Sequence, residues 1–363
     1  ISKKKGSFFF FLDIISVFNV CCLVSEFYAT SKRLTKYLME KHNCNTPPEN
    51  KVEVLYEIEV VHILSIEEIK NTMSVLVYIE ERWYDKSLSW DPKQFSMLNT
   101  TWLPTDIIWV PDIIVFNMLE HTELLRSVRA PAQVDYTGLV KWSYPAIYTV
   151  MCAIYVHYFP FDEQKCYLEI ASWGYDENKL RLNASSKQLL VHYTSNDEWA
   201  LKYVGLKKSQ FVHEDVAVSE IKLMIKVLRK PLYYMVSLVV PSYIISILSI
   251  AGLFAIFSTT NERQERFTLG VTATLTMAVL SLVVSEKTPH SSEQIPLLIW
   301  YFIYNVLVIT IATISTSISM IIHSKGFAYS SKMPPKWALA LFFIRESWFR
   351  KQVTYQNWYF KYF

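Results

Sequence analysis

Glu265-Arg266-Phe267-Thr268-Leu269-Gly270-Val271-Thr272-Ala273-Thr274-Leu275-Thr276-Met277-Ala278-Val279-Leu280-Ser281-Leu282-Val283-Val284-Ser285-Glu286 decides how the chain is read. Apart from Arg266 it carries no charge between its two glutamates. As a helix it is roughly 31 Å long, the hydrocarbon thickness of a bilayer. Alternating steps of three and four from Glu265 pass through Thr268, Thr272, Leu275, Val279, Leu282 and Glu286, one stripe of one face. Phe267, Leu269, Val271, Met277, Leu280 and Val284 occupy the other side. Ionisable groups at the ends of a membrane helix, in line with two hydroxyls, point to water. Around an axis, the threonines would wet the inner part, the apolar trio would form a collar able to dewet, and carboxylate rings (with Glu262 nearby) would concentrate cations. An ordinary membrane helix, with threonines bonded to their own backbone and glutamates among headgroups, fits the stripe equally well.

Working outward, 363 residues at 52% apolar and 19% charged are too apolar for an ordinary soluble chain and too charged for one made only of membrane helices. One soluble and one membrane domain are expected. A net charge of +3 gives no basic surface for nucleic acid. There is no phosphate-cradling loop, no metal-spaced His or Cys cluster, no cofactor motif and no nucleophile elbow, so neither a metal, a cofactor nor an enzyme is expected.

Lys3-Lys4-Lys5 followed by apolar residues to Val24 reads as a secretory signal over 1–25, with a short anchor as the alternative. Ser31 to Lys41 has the spacing of a short amphipathic helix. Val52, Val54, Tyr56, Ile58, Val60 and Ile63, then Met73, Val75, Val77 and Ile79, alternate with the period of half-buried strands. Similar runs recur to Arg229 and imply a two-sheet sandwich or a barrel; the expectation for residues 26–230 is an extracellular, immunoglobulin-like β-sandwich. Asn99 and Asn183 begin glycosylation sequons. Helices over 232–257, 266–285 and 295–322 should cross the membrane within a 231–324 domain, the first kinked at Pro241. The basic residues after Lys325 place 325–363 inside, with an amphipathic helix near Trp337 to Ile344.

Cys152 and Cys166 enclose thirteen residues that include Phe159-Pro160-Phe161-Asp162. This segment resembles the signature loop of the pentameric Cys-loop ligand-gated ion channels. Trp109 to Asn117 is similar to the first agonist loop of the nicotinic acetylcholine receptor branch, and Ser172-Trp173-Gly174-Tyr175-Asp176 to the second. Arg229 to Tyr234 resembles the entry to the first membrane helix, Glu265 to Leu269 the inner mouth of cation-selective members, and Ile295-Pro296-Leu297 the start of the third helix. The likeness runs from about Ser31 to Lys336.

The resemblance implies a Cys152–Cys166 disulfide and a plasma-membrane, postsynaptic pentamer with other subunits of the family. Such a pentamer would be opened by acetylcholine or a related small amine and pass Na+, K+ and Ca2+. It implies an amine site built from Phe116, Trp173, Tyr175 and Phe211 on one subunit and Tyr78 on its neighbour, acting through cation–π contact. Phe116 stands where the branch has tyrosine, Val218 stands near a second such position, and Lys207 to Val218 contains no adjacent Cys pair. A non-alpha or divergent subunit is therefore expected. Gating would couple Phe159, Pro160 and Phe161 to the outer loop around Pro289, with Arg229 paired to Glu68. The family's fourth membrane helix is not found before Phe363, so the alternatives are a truncated modulatory or assembly-impairing subunit and a channel for a different small amine.

Overall fold

The computed structural model describes residues 29–49, 51–123, 130–185, 189–213, 216–254, 261–287 and 295–328. The expected signal segment, Pro289 and the inner amphipathic helix lie outside them. A helix, α1, covers 29–41 and buries Leu34 and Leu38, one turn apart.

Eleven strands follow among the described residues: β1 Val52–Glu67, β2 Thr72–Tyr84, β3 Thr100–Leu103, β4 Ile113–Val115, β5 Met118–Glu123, β6 Ala132–Asp135, β7 Leu139–Met151, β8 Glu163–Ser172, β9 Leu180–Ala184, β10 Trp199–His213 and β11 Val216–Arg229. One sheet runs β3-β6-β7-β2-β1-β9, with β5 also on β7, and the other runs β10-β11-β8-β4. Alternation makes the sandwich: Val75, Val77 and Ile79 of β2 face Leu168, Ile170, Leu223 and Ile225 of the second sheet's strands in one apolar core. Cys152 and Cys166 are bonded, with Cα atoms 5.1 Å apart, tying the segment after β7 to β8. In the entropic model such a loop contributes about 3 kcal/mol.

The chain divides into two units, residues 1–236 with 282–300, and 237–281 with 301–363. Among the described residues three helices are long and apolar enough to cross a membrane: Leu232–Leu253, Arg266–Glu286 and Leu297–Ile321. Helix α2 comprises Leu232–Tyr234, a π-turn Met235–Val239 and Val240–Phe254. The expected kink is thus resolved as a wider turn ahead of Pro241. Proline has no N–H and its ring clashes with the carbonyl four residues back, and lengthening that turn removes the clash. Helix α3 is Asn261–Lys287 and α4 is Leu297–Ala328. Pro296, placed just before α4, costs that helix no interior hydrogen bond.

In the second unit α2 and α4 are joined by Ser242 Oγ and Tyr301 Oη at 3.0 Å and by Ser246 Oγ donating to Asn305 Oδ1 at 3.0 Å. Hydroxyl and amide pairs of this kind hold helices together where lipid supplies no hydrophobic drive. A Cβ on Gly270 would lie 2.2 Å from Thr313 Oγ1, so glycine is what lets α3 approach α4 there.

Candidate functional site

Trp109 anchors the first loop. Its ring, 5% exposed, meets Trp83 edge-on at 6.2 Å and Tyr175 at 6.3 Å. Three residues on, Asp112 accepts from Ser172 Oγ at 2.5 Å and from the Gly174 N–H at 2.6 Å, while its carbonyl accepts from Trp173 N–H at 3.2 Å. Asp112 therefore clips the first loop to the second. A Cβ on Gly174 would stand 3.0 Å from the clipping oxygen, tighter than side chains tolerate without a shift. Asn117 adds a second clip, donating to the Tyr167 carbonyl at 2.8 Å and accepting from Glu169 N–H at 3.1 Å.

These clips bring three of the sequence candidates together. Phe116 lies 5.6 Å from Trp173 and 6.0 Å from Phe211, centroid to centroid. Trp173 is 72% exposed, so the cluster opens outward. Phe211 faces Val218 across the β10–β11 pair, so no phenol hydroxyl stands at that rung. Tyr175 does not join this trio; its contact is with Trp109. Ser172 Oγ accepts the Tyr175 N–H at 3.0 Å.

Tyr78 stands on β2 in the other sheet, opposite Glu59 and Pro145. A cavity of about 400 Å³ beside it is lined by Glu57, Glu59, Tyr78, Glu80, Ser143 and Tyr144. Its acids are paired: Arg82 Nη2 to Glu57 at 3.0 Å, Lys141 Nζ to Glu80 at 3.0 Å, and His192 Nδ1 to Glu59 at 3.1 Å. Burial works against the Glu80 charge, yet Lys141 and Arg82 outweigh it and hold the carboxyl below its usual range. The expected amine pocket is thus bordered by ionisable pairs that the motif reading did not single out.

At the base of the sandwich the expected Arg229–Glu68 pair is present, within a larger group. Arg229 Nε donates to Asp162 Oδ1 at 2.8 Å and Nη1 to Glu198 Oε1 at 3.0 Å, while Nη2 reaches Glu68. The guanidinium also stacks 4.1 Å from the Trp199 ring and 4.9 Å from Phe159. Burial disfavours its charge, but Asp162 and Glu68 more than offset that and push its protonation upward. Asp162 holds Gln164 at 2.6 Å, and Gln164 bonds Tyr155 through both its amide ends at 3.0 Å.

The loop around Pro289, to which Phe159 was expected to couple, lies outside the described residues, and Phe159 itself stands beside Arg229. It is buried, edge-on to Tyr234 at 4.8 Å, and of the Phe159-Pro160-Phe161 trio only Phe161 is exposed. Burying that ring shields the guanidinium from water. The His157 carbonyl of the same loop accepts the Leu297 N–H at 2.9 Å, satisfying one of the free donors at the start of α4. Neither that contact nor Asp162 and Glu198 were singled out by the sequence.

On α3, Gly270, Ala273, Met277 and Val284 are buried, whereas Thr268, Thr272, Leu275, Val279, Leu282 and Glu286 are exposed along the opposite stripe. Of the residues read onto the other side, which suits lipid or neighbouring helices, Phe267, Leu269 and Val271 are exposed and Met277 and Val284 are buried. Thr272 Oγ1 donates to the Leu269 carbonyl at 3.0 Å. Its oxygen lone pairs remain for water. The side chains of Glu262 and Glu265 lie outside the described residues. Asn99 is exposed, and Asn183 is half-buried with its Oδ1 held by Lys208 at 2.9 Å.

A disulfide-looped sandwich with agonist-type aromatic loops, followed by membrane-crossing helices, defines a subunit of a ligand-gated ion channel. The chain belongs to the neurotransmitter-gated, pentameric Cys-loop family: residues 31–231 match the model of the neurotransmitter-gated ion-channel ligand binding domain and residues 238–348 that of the transmembrane region. It is 55% identical to the proton-gated ion channel subunit pbo-6 of Caenorhabditis elegans over 91% of this chain and 78% of that protein. It is 29% identical to the acetylcholine receptor subunit alpha-type deg-3 of the same organism, over 86% of this chain and 58% of that one. With the mouse neuronal acetylcholine receptor subunit alpha-2 it shares 28%, over 84% and 60%. The chain spans about three fifths of the length of these acetylcholine receptor subunits.

Proposed function

We propose that the chain is a subunit of a cation-selective channel of the plasma membrane that extracellular protons open. The observation that carries this reading is the 55% identity to a proton-gated subunit across nearly the whole chain. The chemistry of the site supports it. Phe116 contacts both Trp173 and Phe211 directly, and no tyrosine hydroxyl stands at 116 or 218, which weakens the trio as an ammonium cage. The facing cavity instead presents Glu59–His192 and Glu80–Lys141 pairs. Cation selectivity rests on the exposed Thr268-to-Glu286 stripe and on the acids at 262 and 265, which would ring a shared axis and attract Na+, K+ and Ca2+.

Acetylcholine or another small amine is the second reading. It is favoured by the Phe116–Trp173–Phe211 cluster, which a neighbour's Tyr78 would complete. Current recordings on the full chain, expressed alone and with an alpha-type partner, separate the two. A step from pH 7.5 to 6 should evoke inward Na+ current, and acetylcholine at pH 7.5 should not. Current from acetylcholine with silence to acid overturns the proton reading. In the same cells Glu265→Ala should move the reversal potential in a NaCl gradient toward that of chloride; an unmoved potential removes Glu265 from the selectivity ring.

A further inference from the structure

Away from the aromatic cluster, a buried imidazole is wired to the first loop. His42 follows α1 in a turn closed by its own N–H on the Leu38 carbonyl. Its side chain is 3% exposed and that of Asp85 is 1% exposed. Three hydrogen bonds run in one direction. The Trp109 N–H donates to His42 Nε2 at 3.0 Å, His42 Nδ1 lies 2.6 Å from Ser87 Oγ, and Ser87 Oγ donates to Asp85 Oδ1 at 2.6 Å. A backbone N–H can only donate, so Nε2 is a lone pair and the proton of the neutral ring sits on Nδ1. Every proton in the row is then used. One acceptor is left over: Asp85 Oδ2, buried, has no hydrogen-bond partner and lies 3.2 Å from His42 Nδ1.

We infer that His42 is a proton-binding site of the ligand-binding domain, where a proton taken up at Nε2 displaces the Trp109 N–H and so loosens the first agonist loop. This rests on the proton reading of function and supplies it with a residue. No bond breaks other than hydrogen bonds: a solvent proton joins Nε2, the imidazolium turns two N–H groups outward, and Asp85 Oδ2 is the carboxylate in place to face it. Imidazole is the side chain whose ordinary titration falls within mild acidification. The other charged groups on the surrounding elements are committed elsewhere or point outward. Lys41 reaches the Ser89 carbonyl at 3.3 Å, Lys86 pairs with Glu49 at 2.8 Å, and Asp106 is exposed. The displaced amide belongs to Trp109, whose ring holds Tyr175 and whose loop holds Ser172, Trp173 and Gly174 through Asp112. A change at His42 therefore passes to the loop carrying Trp173 through bonded neighbours.

The test uses His42→Gln, whose amide can accept from Trp109 and donate toward Ser87 without ever becoming charged. In the assembled full-length channel it should require about tenfold more protons for half-activation, or fail to open, a step within the usual range for coupled sites. Asp85→Asn should shift half-activation in the same direction, and His62→Gln, on β1 with its Nδ1 3.0 Å from the Thr194 carbonyl, should not shift it. In hydrogen exchange on the solubilised full chain, the segment 107–112 should lose protection between pH 7.5 and 6 after correction for intrinsic rates, and His42→Gln should keep it. Wild-type half-activation in the His42→Gln channel, unchanged protection of 107–112 in the wild type, or an equal shift from His192→Gln each overturns the assignment. A wild-type channel that ignores acid overturns the proton reading itself.

Discussion

Arg229→Gln should lower the apparent melting temperature of the full chain more than any other single change at the base of the sandwich, by an amount equivalent to about 3 to 5 kcal/mol. The guanidinium is 0% exposed and serves three carboxylates, of which Asp162 is 1%, Glu68 16% and Glu198 50% exposed. Removing the cation leaves Asp162 as a buried charge with only Gln164 beside it, and the loss of desolvated pairing is what makes the change large. Arg229→Lys should rescue little, since a point ammonium cannot take Nε and Nη contacts at once. The acids should then rank by burial: Asp162→Asn most damaging, Glu68→Gln less, and Glu198→Gln within about 1 kcal/mol, as half-exposed pairs are. Melting curves of the five variants in detergent decide the order. A Glu198→Gln effect as large as that of Asp162→Asn would mean that the group is held together by something other than the buried contact.

The same group shows what was legible in the sequence and what was not. Glu68 could be paired with Arg229 because the family resemblance put both at the coupling region, Arg229 at the end of β11 and Glu68 in the turn after β1. Asp162 and Glu198 lie 67 and 31 positions from Arg229, on separate loops. Nothing in a linear pattern brings loops to one point; that depends on how the disulfide and Gln164 fold the segment between β7 and β8. The place of Phe159 against the guanidinium was not legible for a related reason: nothing in the loop sequence announces a buried cation beside it. Phe116 and Trp173 were readable through the resemblance, which matches both of their loops, whereas Phe211 lies in a segment that departs from the family pattern. The Asp112 clip stood in view within Trp109-Val110-Pro111-Asp112 and carried no distinguishing signal beyond its charge.

One missed residue did announce itself. The alternation Val75, Val77, Ile79 continues with Glu81 and Trp83, so period two alone places a carboxyl in an inward slot of the core. The structure puts it there, 1% exposed, opposite Tyr56 on β1 and Trp142 on β7. Charged side chains are rarely buried without a partner, and among the described residues no cation pairs with this one.

Glu81→Gln should therefore stabilise the chain at neutral and alkaline pH and leave it unchanged near pH 4. Burial pushes the Glu81 carboxyl up to about 8 from an ordinary 4.5, and the Tyr144 hydroxyl, donating to Oε1 at 2.8 Å, pulls only partly against it. Tyr56 and Tyr144 are themselves pushed well above the usual phenol range by burial, so they stay protonated beside it. The sign follows from proton counting. Between about pH 4.5 and 8 the unfolded chain loses this proton while the folded chain keeps it, so stability falls as pH rises through that window and levels off above it. At about 1.4 kcal/mol per unit the cost approaches roughly 5 kcal/mol by pH 8. Glutamine keeps the acceptor for Tyr144 and carries no charge in either state, so the variant's melting temperature should stay flat where the wild type's declines. Should the amide hydrogens find no acceptor, Glu81→Met combined with Tyr144→Phe removes both polar partners and should flatten the curve in the same way. Parallel melting curves for wild type and both variants from pH 4 to 9 would mean that Glu81 reaches water and is ionised in the folded chain.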